Sequence, residues 1–415
     1  MEETGRTNGT GETAKYQEGA LKIHRLTPAE VIFSVVGCGI GSGCLGTAYS
    51  ARLAGLPVLV FWFIVTGLLT LFSMMYVAEA TLRTRTMVQL PGLAERYVGS
   101  AGSLLIFIAV VINSLSCMIA YFSGSGDIIN ELLGIPGWAG TLLFLIPAAG
   151  VSWFGLKAMG VGNKLMSVGM IIMLVVLTIA SFLSKDGDFS RVTESNWSYA
   201  IPIFNVAAFS YIGQYLVPDL ARGLSHDPKK LAPAVSIGQL LVCILLIIVP
   251  LGVMYLTPAD ELTEVATIVW GRSLGLWAMY TANIFALVAM LTSYWAISQT
   301  LLSNFVDKFR FHSDEDIKIR LPITLVIVGI PLFLALGGFV GFVDAIYFSG
   351  TFAGAIMAIL PIFMLRGARK KGEIEPDWNC GWMANPVIQG IIIILYSGTI
   401  LYAVCGAMGL LPAGW

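Results

Sequence analysis

The chain has 415 residues, of which 57% are hydrophobic and 12% are charged, and its formal net charge at pH 7 is -1. This composition is far too apolar for a soluble globular protein and indicates many membrane-spanning segments. The near-zero charge gives no reason to expect a nucleic-acid partner, and the six cysteines, mostly in apolar segments, do not suggest a disulfide framework.

Eleven segments of about 20 apolar residues are each long enough to cross the hydrocarbon core of a lipid bilayer. Their approximate limits are 27–50, 57–80, 101–124, 138–156, 162–184, 199–222, 231–256, 276–302, 321–338, 341–365 and 387–411. An odd number of spans puts the two termini on opposite sides. With a cytoplasmic N-terminus, the outer side holds few of the 24 Lys and Arg residues, namely Arg52, Lys185, Arg191 and Arg272. The positive-inside rule therefore predicts a multi-pass cell-membrane protein with an extracellular C-terminus.

The first span contains five glycines between Gly37 and Gly46. Each glycine weakens a helix by about 1 kcal/mol relative to alanine, and a backbone group freed within lipid must find an internal partner. The run predicts unwound backbone at membrane depth, which is how secondary transporters build their binding sites. Tight glycine-mediated helix packing is the alternative.

Near the end of the second span, Glu79 precedes Arg83 by four residues. This spacing predicts an ion pair on one helix face.

The sixth span contains a second weak point, since Ser210, Gly213 and Pro218 follow a helix that starts near Tyr199. Two interrupted spans, five helices apart and opposite in direction, are typical of a five-plus-five inverted repeat. We therefore predict an N-terminal cytoplasmic tail, two repeats, a cytoplasmic loop and an extra eleventh helix, with limits 1–26, 27–184, 199–365, 366–386 and 387–411.

Three motifs resemble those of a known family. The stretch from Ile40 to Ser50, Ile-Gly-Ser-Gly-Cys-Leu-Gly-Thr-Ala-Tyr-Ser, resembles the first-helix signature of amino acid permeases of the amino acid, polyamine and organocation superfamily. It is most similar to the aromatic and neutral amino acid permease branch. The stretch from Ala207 to Tyr211 resembles the sixth-helix break of the same proteins, and Leu291-Thr292-Ser293 resembles a sodium-site motif of the leucine-transporter fold.

The resemblance covers spans one to ten. It implies an all-α membrane protein of the leucine-transporter fold, with eleven transmembrane helices and breaks in helices 1 and 6. The implied activity is secondary active import of a neutral amino acid, with the lipid bilayer and the substrate as partners and without an organic cofactor. An enzyme is not expected, because His24, His226 and His312 all lie in polar segments and no carboxylate pair falls at midplane.

An amino acid zwitterion needs partners for a carboxylate and an ammonium. The amides of Ser42 and Gly43 open the outer half of the first helix, where orphan N–H groups and the helix dipole suit an anion. By the resemblance, the carbonyls of Gly39, Phe209 and Ser210 accept the ammonium.

The substrate side chain has fewer polar candidates. Cys38 would lie beside the ammonium, and Phe209 would form a lid. Asn113, Tyr211 and Gln214 are the polar residues near the expected pocket, although Asn113 could equally bond another helix. No charged side chain falls at midplane, which predicts a neutral substrate, either aromatic or apolar.

For a coupling sodium ion, the resemblance points to five neutral oxygens, the carbonyls of Gly37, Ile40 and Ala289 and the hydroxyls of Thr292 and Ser293. At 1.5 Å per residue, Gly37 and Thr292 reach the same depth from opposite faces. Such hydroxyls can instead bond back to their own helix.

Proton coupling and uncoupled exchange remain alternatives to sodium. Some sodium-independent relatives in this superfamily place a lysine of the fifth helix in the cation position. Here the aligned residue is Met170, and the fifth span carries no ionisable residue between Leu165 and Leu183. The sequence therefore favours sodium.

Overall fold

The computed structural model describes residue 16 and residues 25–40, 42–154, 156–311 and 316–410. Within them, all regular secondary structure is helical. The first part of the chain forms α1 (Pro28–Gly39), α2 (Ser42–Leu45), α3 (Thr47–Ser50), α4 (Leu56–Leu82), α5 (Leu90–Tyr97), α6 (Ser100–Leu133), α7 (Gly137–Phe154), α8 (Leu156–Leu183) and α9 (Phe189–Thr193).

The second part forms α10 (Ala200–Ser210), α11 (Val217–Gly223), α12 (Leu231–Leu256), α13 (Ala266–Leu274), α14 (Leu276–Lys308), α15 (Ile317–Leu336), α16 (Phe342–Ser349), α17 (Ala355–Lys371) and α18 (Pro386–Ala407). A π-helical turn, Gly350–Gly354, joins α16 to α17. Such turns are frequent at functional sites.

The described helices account for a multi-pass membrane protein. Eight helical stretches are long and apolar enough to cross a bilayer, and two of them, Trp197–Gly223 and Phe342–Lys371, combine several of the helices above. Three further apolar stretches are α1 (Pro28–Gly39), Gly137–Gly150 within α7 and Ile171–Leu183 within α8. Together they coincide with the predicted segments and are compatible with the count of eleven.

The beginning of α1 follows from its sequence. The Thr27 hydroxyl accepts a hydrogen bond from the Glu30 amide at 3.3 Å, and the Glu30 carboxylate accepts one from the Thr27 amide at 2.7 Å. This capping box satisfies two of the backbone donors that a helix N-terminus leaves free. Pro28, which lacks an N–H, occupies the first helical position. Of the predicted tail before α1, the structure describes Tyr16, Arg25 and Leu26, and the rest lies outside the described residues.

The interrupted sixth span lies at the centre of the bundle. In the apolar window of Trp197–Gly223, 89% is buried, against 11% for α15 and 22% for α18. Helices α15 and α18 therefore form the lipid-facing periphery, while α10 packs between α4 and the π-helical turn.

A charged cluster joins α4 to α17 and to the loop that follows it. Glu79 is fully buried, and its carboxylate accepts two bonds from Arg369, both at 2.9 Å, and one from Arg83 at 3.0 Å. The amide and the thiol of Cys380 also donate to it, each at 2.9 Å. Burial raises the pKa of the Cys380 thiol above its usual value, and the neighbouring Glu79 carboxylate raises it further, so the thiol stays protonated. We call these four residues the Glu79 cluster.

The Glu79 cluster confirms the predicted Glu79–Arg83 pair. It also explains a difference from the predicted loop at 366–386. Helix α17 continues through Lys371, because the Arg369 side chain is held against Glu79 and that of Arg366 bonds the Gln389 side chain at 2.6 Å. The segment 366–386 thus begins with more than one further helical turn.

Candidate functional site

The two helix breaks of the first and sixth spans are adjacent in space. Helix α1 ends at Gly39, and the chain turns at Ile40 before α2 begins at Ser42. Helix α10 ends at Ser210, and a 3-10 turn at Gln214–Leu216 leads into α11. Both predicted breaks are confirmed.

The breaks approach each other closely at Gly43 and Ser210. The Ser210 hydroxyl donates to the Val206 carbonyl at 3.0 Å and lies 3.4 Å from the Gly43 carbonyl oxygen. A Cβ atom added to Gly43 would lie only 3.1 Å from the Ser210 Cα and hydroxyl oxygen. A side chain at this position would therefore require Ser210 to move by a few tenths of an ångström.

A cavity lies between the breaks, and the empty space in it and at its mouth totals about 270 Å³, open solvent included. Six of the predicted substrate-binding residues line it, namely Cys38, Gly39, Gly43, Asn113, Phe209 and Ser210. The wall therefore combines backbone of both breaks with side chains of α6.

Five lining residues were missed by the sequence analysis, namely Cys117, Tyr121, Ile212, Tyr215 and Ile297. Helical spacing could have found three of them. Cys117 and Tyr121 follow Asn113 by four and eight residues on α6, and Ile297 follows Ser293 by four on α14, so each lies on a face already identified. Tyr215 sits on the 3-10 turn after the break, where α-helical spacing does not apply.

Two cavity residues, Cys38 and Tyr215, form a polar pair across the breaks. The Cys38 sulfur lies 3.0 Å from the Tyr215 hydroxyl oxygen and 3.8 Å from the Ile212 carbonyl oxygen. The pair ties the end of α1 to the turn before α11.

The sequence leaves open whether Asn113 lies at the pocket or bonds another helix, and in the structure it does both. It lines the cavity, and its side-chain carbonyl accepts a hydrogen bond from the Ser349 hydroxyl at 3.0 Å. Ser349 is the last residue of α16, directly before the π-helical turn. The third and tenth spans are thus joined at the cavity wall.

Three predicted substrate residues do not contribute a described side chain to the cavity. The Tyr211 ring stacks edge-on against Phe63 at 6.0 Å and lies beside Gly67 of α4. The Gln214 side-chain carbonyl accepts a bond from the Gly213 amide at 3.1 Å. For Ser42, the backbone begins α2 as predicted, but its side chain is outside the described residues.

The predicted sodium residues lie in two contacting pairs. The Ser293 hydroxyl donates to the Gly37 carbonyl at 3.0 Å, joining α14 to α1. The Thr292 hydroxyl donates to the Ala289 carbonyl at 3.0 Å and to the Val288 carbonyl at 3.1 Å, within its own helix.

The fifth predicted sodium oxygen is the carbonyl of Ile40, which accepts a bond from the Cys44 thiol at 3.0 Å. The side chain of Met170, aligned above with the lysine of sodium-independent relatives, is outside the described residues. The described residues hold no group of three or more His, Cys, Asp or Glu side chains that could bind a metal ion.

The chain is similar over most of its length to named transport proteins. It is 26% identical over 406 residues to the tryptophan-specific transport protein of Shigella flexneri, covering 88% of this chain and 94% of that protein. It is 25% identical over 371 residues to that of Haemophilus influenzae, covering 81% and 86%. It is also 23% identical over 398 residues to tyrosine-specific transport system 1 of Haemophilus influenzae, covering 91% and 96%.

The fold resembles that of MhsT, whose crystal structure in complex with L-phenylalanine covers 92% of this chain with a TM-score of 0.68 and 15% sequence identity. This likeness establishes the leucine-transporter fold. The model of the tryptophan/tyrosine permease family matches residues 29–404, so the match includes both breaks and every lining residue of the cavity. The chain belongs to the tryptophan/tyrosine permease family.

Proposed function

We propose that this protein imports a neutral aromatic amino acid by sodium symport, with the substrate in the cavity between the two breaks. The observation that carries the proposal is the lining of that cavity. Backbone from two interrupted helices meets there, at Gly39 and Gly43 in one and at Phe209 and Ser210 in the other. Relatives named for tryptophan and tyrosine transport support the aromatic substrate.

The substrate backbone would bind at the helix breaks. The amides of Ser42 and Gly43 would receive the carboxylate, since Gly43 carries no side chain to block its approach. The carbonyls of Gly39, Phe209 and Ser210 would accept the ammonium. The aromatic ring would then extend toward Asn113 and the other α6 residues.

Sodium would travel as co-transported cargo between α1 and α14. The contact between Ser293 and Gly37 supports this assignment, because it brings a hydroxyl and a carbonyl from two different helices together. Thr292 supplies a second hydroxyl one residue earlier. A set of neutral oxygens suits an ion that must be released again in every cycle, because it lacks the strong attraction of a carboxylate.

Alternating access would open the bundle at the face where α1 begins, which we propose is cytoplasmic. At that face the Leu26 amide donates to the Gly223 carbonyl at 2.9 Å, and the Gln89 side chain donates to Asp219 at 2.8 Å. The Gln89 amide also donates to Asp307 at 3.2 Å. These contacts join α1, α11, α14 and the segment before α5, and they would have to part for inward release.

Uptake of labelled tryptophan into proteoliposomes tests the proposal. Uptake that requires an inward sodium gradient is the expected result. Uptake driven by a proton gradient in the absence of sodium would replace sodium with protons, and uptake that needs only internal amino acid would indicate exchange. Absence of uptake for every aromatic amino acid would contradict the substrate.

A further inference from the structure

The Cys38–Tyr215 pair can accept a hydrogen bond beyond those that its own contacts use. The pair contains two hydrogens, on the thiol and on the phenol. Both find an acceptor in one arrangement, in which the thiol donates to the Ile212 carbonyl at 3.8 Å and the phenol donates to the Cys38 sulfur at 3.0 Å. In that arrangement the Tyr215 oxygen keeps its lone pairs and can accept a further hydrogen bond.

Tyr215 belongs to the wall of the cavity that we propose for the substrate. Tyr215 is 2% exposed, yet it lines the cavity together with Cys38. Two neighbouring polar side chains have other partners, since the Ser210 hydroxyl donates to Val206 and the Asn113 side-chain carbonyl accepts from Ser349. Cys117 and Tyr121 line the same cavity and interact electrostatically with Tyr215. When a bound ligand offers no donor to a buried acceptor, the binding free energy becomes less favourable, because the acceptor has lost water without gaining a partner.

We propose that the Tyr215 oxygen accepts a hydrogen bond from the ring of the substrate, and so selects aromatic amino acids with a ring N–H or O–H over those without one. This inference rests on the proposed function. Tryptophan and tyrosine carry such a donor, whereas phenylalanine does not. An apolar pocket discriminates weakly between rings of similar shape, and a buried acceptor that the analogue leaves unpaired adds to the discrimination. Cys38 acts as a positioning residue because it orients the phenol.

The test compares tryptophan with L-3-benzothienylalanine, an isostere in which sulfur replaces the indole N–H. Uptake of both is measured in the wild-type protein, in Tyr215→Phe, in Tyr121→Phe and in Tyr294→Phe. Tyr121 is the other tyrosine that lines the cavity. Tyr294 is fully buried on α14, where its ring lies 5.6 Å from Phe122 rather than in the cavity lining.

The wild-type protein should prefer tryptophan over the isostere by about 3- to 10-fold in apparent affinity, the usual range for one hydrogen bond. Tyr215→Phe should remove the preference, because tryptophan loses its acceptor and the isostere no longer leaves one unpaired. Tyr294→Phe should keep it. Equal uptake of both compounds by the wild-type protein, or a preference lost in Tyr121→Phe and kept in Tyr215→Phe, would overturn the inference while the proposed function stands. Failure to transport either compound would contradict the proposed function itself.

Discussion

The Glu79 cluster and the cavity are both buried and polar, but the cluster contains charged groups and the cavity lining contains uncharged ones. Glu79 is a full charge that receives five hydrogen bonds of 2.9 to 3.0 Å from Arg369, Arg83 and Cys380. The cavity is lined by uncharged groups, and its contacts between the breaks include the longer ones of 3.4 and 3.8 Å.

From this difference we expect the Glu79 cluster to stay fixed and the two helix breaks to move. Charge-assisted bonds are about twice as strong as neutral ones, and removing one member of a buried ion pair leaves the other uncompensated. Weak contacts between neutral groups break and re-form at little cost, as the proposed opening of the site in every cycle would require. We therefore expect substitutions in the Glu79 cluster to reduce stability and substitutions at the breaks to reduce binding.

The substitution with the largest expected effect is Glu79→Gln, which tests whether the Glu79 cluster stabilises the fold. It should lower the free energy of unfolding by about 3 kcal/mol, because the two guanidinium groups lose their buried counter-charge. The apparent Tm in detergent reports the loss. Glu375→Gln is the matched control, since Glu375 also pairs with Arg83, at 3.4 Å, but is 90% exposed. It should change stability by less than about 0.5 kcal/mol. Equal effects of the two variants would remove the structural role of the cluster.

Gly43→Val tests whether the close approach of the two helix breaks is needed for substrate binding. Its Cβ would lie about 3.1 Å from Ser210, so Ser210 would have to move to accommodate the larger side chain. Tryptophan binding, measured by scintillation proximity or calorimetry, should be lost while the apparent Tm changes little. The control is Gly329→Val on the lipid-facing α15, where an added Cβ meets nothing within 4 Å. Wild-type affinity in Gly43→Val would refute the close approach as a binding requirement.

Thr292→Ala tests whether the proposed sodium site is distinct from the proposed substrate site. Removing one of the five proposed ligand oxygens should raise the sodium concentration for half-maximal tryptophan binding by about tenfold, equivalent to about 1.4 kcal/mol. Maximal binding at saturating sodium should persist. Thr300→Ala is the control, because the Thr300 hydroxyl also bonds back within α14, to Ala296 at 2.9 Å. An unchanged sodium requirement in Thr292→Ala would argue against this ligand set.

The smallest effect is expected for Tyr211→Phe. The Tyr211 ring packs against Phe63 and Gly67, so loss of its hydroxyl should alter tryptophan affinity by less than about threefold. A larger loss, measured in the same binding assay, would return Tyr211 to the substrate-binding set that the sequence predicted.

Much of the fold could be predicted because its determinants are local. The length of the apolar segments defines the spans, and glycine density in the first span and the Ser210–Pro218 region in the sixth define the breaks. Cavity residues on regular helices were equally accessible, since Asn113 identifies a face of α6 that also carries Cys117 and Tyr121.

The remaining features depend on geometry that local patterns do not encode. Tyr211 and Tyr215 are both tyrosines near one break, and the 3-10 turn between them decides which one reaches the cavity. Likewise, Arg83 was predictable from its spacing to Glu79, whereas Arg369 and Cys380 lie 290 and 301 residues from Glu79 along the chain. Only the packing of α4 against α17 brings them together.

The central claim is that the two breaks form adjoining sites for substrate and ion. The most direct test titrates tryptophan binding to the purified protein over a series of sodium concentrations at constant ionic strength, and sodium binding over a series of tryptophan concentrations. Coupled sites predict that each ligand tightens the other by the same factor. A tryptophan affinity that is identical without sodium and at saturating sodium would contradict the account.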